Sequence, residues 1–252
     1  MQKFDVMKSL HVAIVILISH GAFPRESQAQ LTTTLLHRYM FVNTSAASIL
    51  ADSMTLSEAY ALTVQGAVIF AKNVAYFSSS YPGDLILPVT VFAHSPDAFS
   101  VELWVNTNLG LSYGLSIGNP KLFTLGETSP SAGFKFSSSI SLGRGSDRMT
   151  SNDRIVLAYV NAFDGKTYSI MAPDISFSSG PMQLVVTLMK GGSAILYVNG
   201  DKEALLRGQA LNHIPNATYA TLGGSCQTAC TAFSGYIEDV RIWAGAMSTE
   251  QV

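Results

Sequence analysis

From Met182 to Val252 the chain runs through three strand-like segments, an Asn-Gly turn and the closing run Gly235-Tyr236-Ile237-Glu238-Asp239-Val240-Arg241-Ile242-Trp243. Met182, Leu184, Val186 and Leu188 share one face of the first segment, while Val185 and Met189 make its other face apolar as well. A strand apolar on both sides sits centrally in a sheet and is covered on both faces. Gly191-Gly192-Ser193 reverses the chain into Ala194–Val198, and Asn199-Gly200 reverses it again. Asn-Gly fits a type I′ turn because both central residues need positive φ, so a three-stranded meander is expected from Met182 to about Leu206.

The period of two recurs upstream. Phe99, Val101, Leu103 and Val105 alternate with Ser100, Glu102 and Trp104, a pattern that a helix could not bury on one side. Trp104 stands opposite the Phe99 face and is a candidate to bridge two layers. Further short runs, Ala67–Phe70, Val74–Phe77, Leu85–Phe92, Leu111–Ile117, Lys121–Leu125, Gly133–Ser137 and Ile155–Ala162, are separated by turn residues. Many short strands with Gly, Pro, Ser and Asn between them predict an all-β antiparallel sandwich or barrel. The one helical candidate is Leu50–Leu62, where Ser57, Glu58 and Ala59 can make a turn. At 252 residues a single β-sandwich core is the expectation.

Composition narrows the function classes. With 48 % hydrophobic and 13 % charged residues and a net charge of −2, the chain has enough apolar surface to fold and no basic field to seek nucleic acid. Lys3 and Lys8 precede an apolar run from Leu10 to Ile18, and Ser27-Gln28-Ala29 follows a polar stretch. This is the grammar of a signal peptide over residues 1–29, with cleavage expected after Ala29. The run is broken by Ser19 and His20, short of the roughly 20 apolar residues that span a bilayer. No membrane span is expected in the mature chain from residue 30 to 252.

Export sets the expectation for Cys226 and Cys230, which are joined in an oxidising compartment. So short a loop gives only about 2 kcal/mol by chain entropy, enough to pin a loop. Zinc is excluded because His37, His94 and His213 are scattered and supply no ligand cluster. Asn43-Thr44-Ser45 and Asn216-Ala217-Thr218 are acceptor sequons for N-glycosylation in a host that modifies exported proteins.

Taken in order, Leu184-Val185-Val186-Thr187, Leu196-Tyr197-Val198-Asn199-Gly200, the Gly235–Trp243 run, Ala246-Met247-Ser248 and Glu250-Gln251-Val252 resemble the laminin G-like, concanavalin A-like jelly-roll superfamily. Phe99–Val105 resembles that family's aromatic-β-Glu-Trp-Val strand. His37-Arg38-Tyr39 with Phe41 and Asp52-Ser53 resembles its opening segment, so the core of the resemblance runs from about residue 36 to 252. There are departures: the strand at Met182 lacks the Trp and His that often begin it, Asn199 replaces a common Asp, and Gly245-Ala246-Met247 replaces a more usual Arg-Ala-Leu. The resemblance implies a two-sheet jelly roll and recognition of carbohydrate or extracellular glycoproteins. It also implies a structural calcium where the opening segment meets the closing strand, with Asp52 and Asp239 as candidates. The competing reading has Asp52 capping a turn and Asp239 pairing with a cation such as Arg241.

Two catalytic patterns fail on the residues around them. Gly114-Leu115-Ser116-Ile117-Gly118 matches the nucleophile-elbow spacing, but the elbow needs a helix to follow, and Asn119-Pro120 does so instead. A glycosidase needs two carboxylates flanking one bond, whereas Glu238 and Asp239 are adjacent and Glu102 stands alone on its strand. Aromatic platforms are the other expectation, from Trp104, Tyr113, Tyr159, Phe163, Tyr168 and Tyr197. The loop Asn161–Lys166 is the favoured contact, with Phe163, Asp164 and Lys166 presented around an Asp-Gly turn. The sequence reads best as an exported, non-catalytic module; a polysaccharide-processing enzyme or a structural adhesion protein on the same sandwich are the alternatives.

Overall fold

The computed structural model describes residues 33–41, 49–55, 57–78, 83–93, 97–107, 120–126, 139–146, 153–160, 167–176, 180–189, 193–207, 217–223 and 233–252. The leader, both cysteines, both sequon asparagines and the Phe163, Asp164 and Lys166 loop lie outside them, as does the Gly114–Gly118 motif. The strand runs at Leu111–Ile117 and Gly133–Ser137 do too.

The strands are β1 (Thr34–Met40), β2 (Ile49–Leu50), β3 (Leu62–Gly66), β4 (Ile69–Ala71), β5 (Val74–Phe77) and β6 (Gly83–Ile86). They continue with β7 (Ala98–Asn106), β8 (Lys121–Gly126), β9 (Ser139–Ser146), β10 (Asp153–Val160) and β11 (Thr167–Ser176). The last five are β12 (Pro181–Met189), β13 (Ser193–Val198), β14 (Asp201–Arg207), β15 (Tyr219–Leu222) and β16 (Gly235–Ala244). They form two antiparallel sheets of eight strands each. Sheet A runs β14-β13-β12-β7-β16-β5-β4, and β1 pairs with the Asp239–Ala244 half of β16 on the edge that β5 uses at Gly235–Ile237. Sheet B runs β11-β10-β9-β8-β15-β6-β3-β2. The jelly-roll sandwich expected from the sequence is therefore the fold.

Alternation decides what faces inward. Val101, Leu103 and Val105 of β7 join Leu184 and Val186 of β12 and Val240 and Ile242 of β16 in one core, which sheet B completes with Phe123, Leu125, Leu142, Leu157 and Tyr159. Among the described residues no helix is long and apolar enough to cross a membrane.

The meander lies where the turn chemistry put it. Asn199 and Gly200 take φ of 52° and 88°, and the Asn199 side chain accepts the Gln183 N–H at 2.9 Å. Ser57 caps a single 3₁₀ turn over Glu58–Tyr60, which is all that forms of the helical candidate. The run Leu85–Phe92 is corrected: β6 ends at Ile86, and a 3₁₀ turn over Val89–Phe92 follows Pro88. Proline fixes φ and has no N–H to donate to a ladder, so the strand stops there.

β12 is covered on both faces, as its two-sided apolar pattern predicts. Outside sheet A, Met247 packs with Val185 and Tyr197 in a small second core edged by Ile195, Trp243 and Val252. Ser100 fastens this lid, donating to the Gly245 carbonyl at 3.0 Å and accepting the Met247 N–H at 3.0 Å.

Candidate functional site

Two outward sheet faces carry the chemistry. On sheet A, Ser100, Glu102 and Trp104 point away from the core because Val101, Leu103 and Val105 point into it. Trp104 therefore does not bridge the layers; it stands on the outer face, 38 % exposed. Glu102 beside it is only 2 % exposed. Its Oε1 accepts from Trp104 Nε1 at 2.9 Å, Gln183 Nε2 at 2.9 Å and Arg241 Nη1 at 3.1 Å, and its Oε2 accepts from Trp243 Nε1 at 3.0 Å. A buried carboxylate is tolerable only when its lone pairs are used in this way.

Arg241 also donates to Asp239, at 3.0 Å through Nε, and Arg38 closes on the same carboxylate with its Nη2 at 2.8 Å. This hydrogen bond and the neighbouring negative charge raise the Arg38 pKa above its usual value, against the opposing effect of burial. Asp52 lies on the other side of Arg38. Its Oδ1 accepts the N–H groups of Arg38 and Met54, both at 3.0 Å, and its Oδ2 meets His37 Nδ1 at 2.7 Å and the Thr55 hydroxyl at 2.9 Å. Burial would raise the Asp52 pKa, yet these hydrogen bonds outweigh it and hold the carboxyl below the usual range.

Asp52 thus caps a turn, and Asp239 pairs with arginines. This donor set does not fit calcium, because two guanidinium groups stand against Asp239 where a cation would have to bind, and Asp52 is engaged by four donors. Among the described residues no group of three or more His, Cys, Asp or Glu is placed to hold a metal.

On sheet B the outward row reads Ser169, Ala158, Ser141, Thr124, Thr221 and Ile86, each opposite the next across the strands. The row is small or hydroxylated up to Ile86, and Thr124 and Thr221 within it are buried. The Oγ1 atoms of Thr124 and Thr221, an opposed pair, are buried and find no hydrogen-bond partner among the described residues. The neighbouring row passes through Ser139, Gly126 and Tyr219. The Tyr219 ring lies across Gly126 so closely that a Cβ there would meet its ring and hydroxyl at 2.5–2.9 Å. Burial raises the pKa of the Tyr219 hydroxyl, which stays protonated as a donor. Val160 and Thr167, which flank the Asn161–Lys166 loop, pair with each other in this same row.

Of the expected aromatic platforms, Tyr159 and Tyr197 are buried and Tyr168 packs against the core. Tyr113 and Phe163 lie outside the described residues. Sequence reasoning missed Tyr219, Tyr236 and Tyr76. The signal for Tyr219 was Tyr219-Ala220-Thr221-Leu222, a short alternation beside the sequon at Asn216.

Fold and faces together define a two-sheet, lectin-type jelly roll. Domain 4 of AbnA, an extracellular arabinanase from Geobacillus stearothermophilus solved with arabinotriose, is similar, with a TM-score of 0.59 at 20 % identity over 87 % of this chain and 96 % of that one. A Trypanosoma rangeli sialidase is similar with a TM-score of 0.61 at 13 % identity, over 86 % of this chain and 31 % of the other. A structure from work on cell entry of botulinum neurotoxin type C through two ganglioside molecules gives 0.55 at 16 % identity, over 86 % and 49 %. At these identities the likeness is one of fold. No curated protein sequence matches the chain. Residues 82–252 match a laminin G family model described as the Concanavalin A-like lectin/glucanases superfamily, and the chain belongs to that superfamily.

Proposed function

We propose that this protein is an exported, non-catalytic module that binds glycans, free or on extracellular glycoproteins, on the outer face of sheet B. The observation that carries the reading is the Tyr219 ring laid across Gly126, next to the hydroxyls of Thr124 and Thr221, buried and without a partner among the described residues. Sugar recognition needs this pairing, a flat aromatic surface for the C–H face of a ring and nearby polar groups for its hydroxyls. Each unmet hydroxyl costs about 1–3 kcal/mol, which a ligand hydroxyl recovers if it reaches the site.

Phe163, Asp164 and Lys166 stay in the proposal as the contact loop expected from the sequence, between the β10 and β11 strands that form this sheet. The superfamily and the arabinotriose bound to the similar arabinanase domain support a sugar as partner, by analogy of fold. A non-catalytic role is supported by Glu102 and Asp239, whose oxygens are held by Arg241 and by neighbouring donors. Export rests on the leader over residues 1–29, and with it the Cys226–Cys230 bond and the sugars on Asn43 and Asn216.

The test is a glycan-array screen of the secreted chain from Gln30 onward, with calcium and again with chelator, beside Tyr219→Ala. Saturable binding to one glycan class, unchanged by chelator and weakened about tenfold in the variant, is the expected result. Binding that survives Tyr219→Ala undiminished removes this face from the proposal; hydrolysis of the bound glycan selects the enzyme reading.

A further inference from the structure

We infer that the outer face of sheet A holds a second saccharide site, built around Trp104 for the apolar face of a neutral sugar ring and set back to back with the face of sheet B. It shares with the preceding reading only the class of ligand; none of its residues are the same.

Trp104 is 38 % exposed, yet its ring is not free to turn. The indole N–H is tied to Glu102, two residues back on the same face, and Glu102 is itself fixed by Gln183, Arg241 and Trp243. An aromatic held in place before binding loses little rotamer freedom when a ligand stacks on it. Donation to a carboxylate also pushes electron density into the indole, which strengthens the negative ring face that polarised sugar C–H bonds seek.

The surface continues along β7. Asn106 lies two residues beyond Trp104, roughly 7 Å along the strand. Its Nδ2 donates to the Tyr236 hydroxyl at 2.8 Å, and Tyr236 meets Tyr76 with ring centroids 5.5 Å apart at 63°. Asn106 stands opposite Tyr236, and Tyr236 opposite Tyr76, so three aromatic side chains and an amide share one outward face.

Two features select the occupant. The four charges beside Trp104 pair off, Glu102 and Asp239 against Arg241 and Arg38, so this cluster adds no net charge that would select an anion or a cation. The most apolar stretch of the same face, at Val185 and Tyr197, is already covered by Met247 of the chain's own C-terminal segment. What stays open around Trp104 is aromatic and hydrogen-bonding, with Met40 and Ile69 exposed singly beside Asp239 and Tyr76, which suits a sugar ring better than a broad apolar protein surface. Two sites on opposite sheets make a single copy bivalent, able to bridge two glycan chains.

The chain's two tryptophans both donate to Glu102, so intrinsic fluorescence reads this face directly. The chain is titrated with arabinotriose, xylotriose and cellotriose, with sialyllactose as an acidic comparison. We expect a neutral trisaccharide to change the emission saturably and independently of salt. By calorimetry, Trp104→Ala weakens that binding about tenfold, Trp104→Phe weakens it less because a ring remains, and Tyr219→Ala leaves the emission titration unchanged. The inference is overturned if no neutral trisaccharide changes the emission, if only sialyllactose does, or if Trp104→Ala binds as tightly as the parent. It is also overturned if Tyr219→Ala abolishes the change, which leaves one site on sheet B. Dimerisation that Trp104→Ala removes assigns the face to a second copy instead.

Discussion

Arg38 on the first strand of sheet A grips Asp239 on the last through three hydrogen bonds of 2.8–3.2 Å, joining residues 201 positions apart. Arg241 holds the same carboxylate from the other side. Strand β1 is thereby fastened to β16 by side chains as well as by its backbone ladder.

Asp239→Ala takes the carboxylate from Arg38 and leaves Arg241 with Glu102 alone. Because both arginines are partly exposed, the expected loss is moderate, about 1–3 kcal/mol in urea unfolding. A double-mutant cycle with Arg38→Ala is expected to return a coupling of about 1 kcal/mol, and a coupling near zero counts against the clasp.

Glu102 is the more consequential carboxylate because it is buried and binds four donors. Glu102→Ala leaves Arg241 with Asp239 as its one carboxylate and takes the acceptor from Gln183 and both indoles, and we expect a loss of about 1–3 kcal/mol. Both indoles lose their acceptor, so the folded variant's emission shifts. Unchanged emission in a folded variant rules out the shared acceptor.

Asp52 makes stability depend on acid. Its native pKa is depressed below the unfolded value near 3.9, so its contribution is complete above that pH and is lost as the pH falls through the lower native value. Asp52→Asn is expected to unfold more readily at neutral pH and to show a shallower loss below pH about 4, read as the urea midpoint against pH. Parallel curves for parent and variant exclude Asp52 as the source.

Two glycines of sheet B are expected to behave differently when given a methyl group. A Cβ at Gly143 meets the Pro120 carbonyl at 2.2 Å, backbone that cannot swing aside, so Gly143→Ala costs about 1–3 kcal/mol or more. At Gly126 the obstacle is the Tyr219 ring, which can rotate away. Gly126→Ala should therefore keep most of its thermal stability and weaken glycan binding; the opposite ranking in thermal melts argues against the ring's position.

The strands that read most clearly are those with one buried face and standard turns. β7, β12 and β13 follow from alternation, and Asn199-Gly200 sets the register of β13 and β14 through its positive φ values. β11 escaped notice because Pro173 interrupts it, although Tyr168, Ile170 and Ala172 alternate; as an edge strand it tolerates a residue with no N–H. β9 was obscured by Gly143 and Gly145, which carry no side chain to mark a face.

The site was less legible than the fold. Asp52 and Asp239 were candidates for a calcium site by resemblance, but whether such carboxylates meet a metal or the chain's own donors depends on which groups converge there. The sequence by itself determined the two-sheet sandwich, since a period of two and turn residues act over a few positions of chain. Tertiary structure alone decided that Glu102 gathers Trp104, Gln183, Arg241 and Trp243, and that Tyr219 comes to rest on Gly126. Trp104 apart, which sits two residues along the same strand, those partners lie far away in sequence, and only strand pairing, with its fixed register across the sheet, brings them within hydrogen-bonding or van der Waals distance.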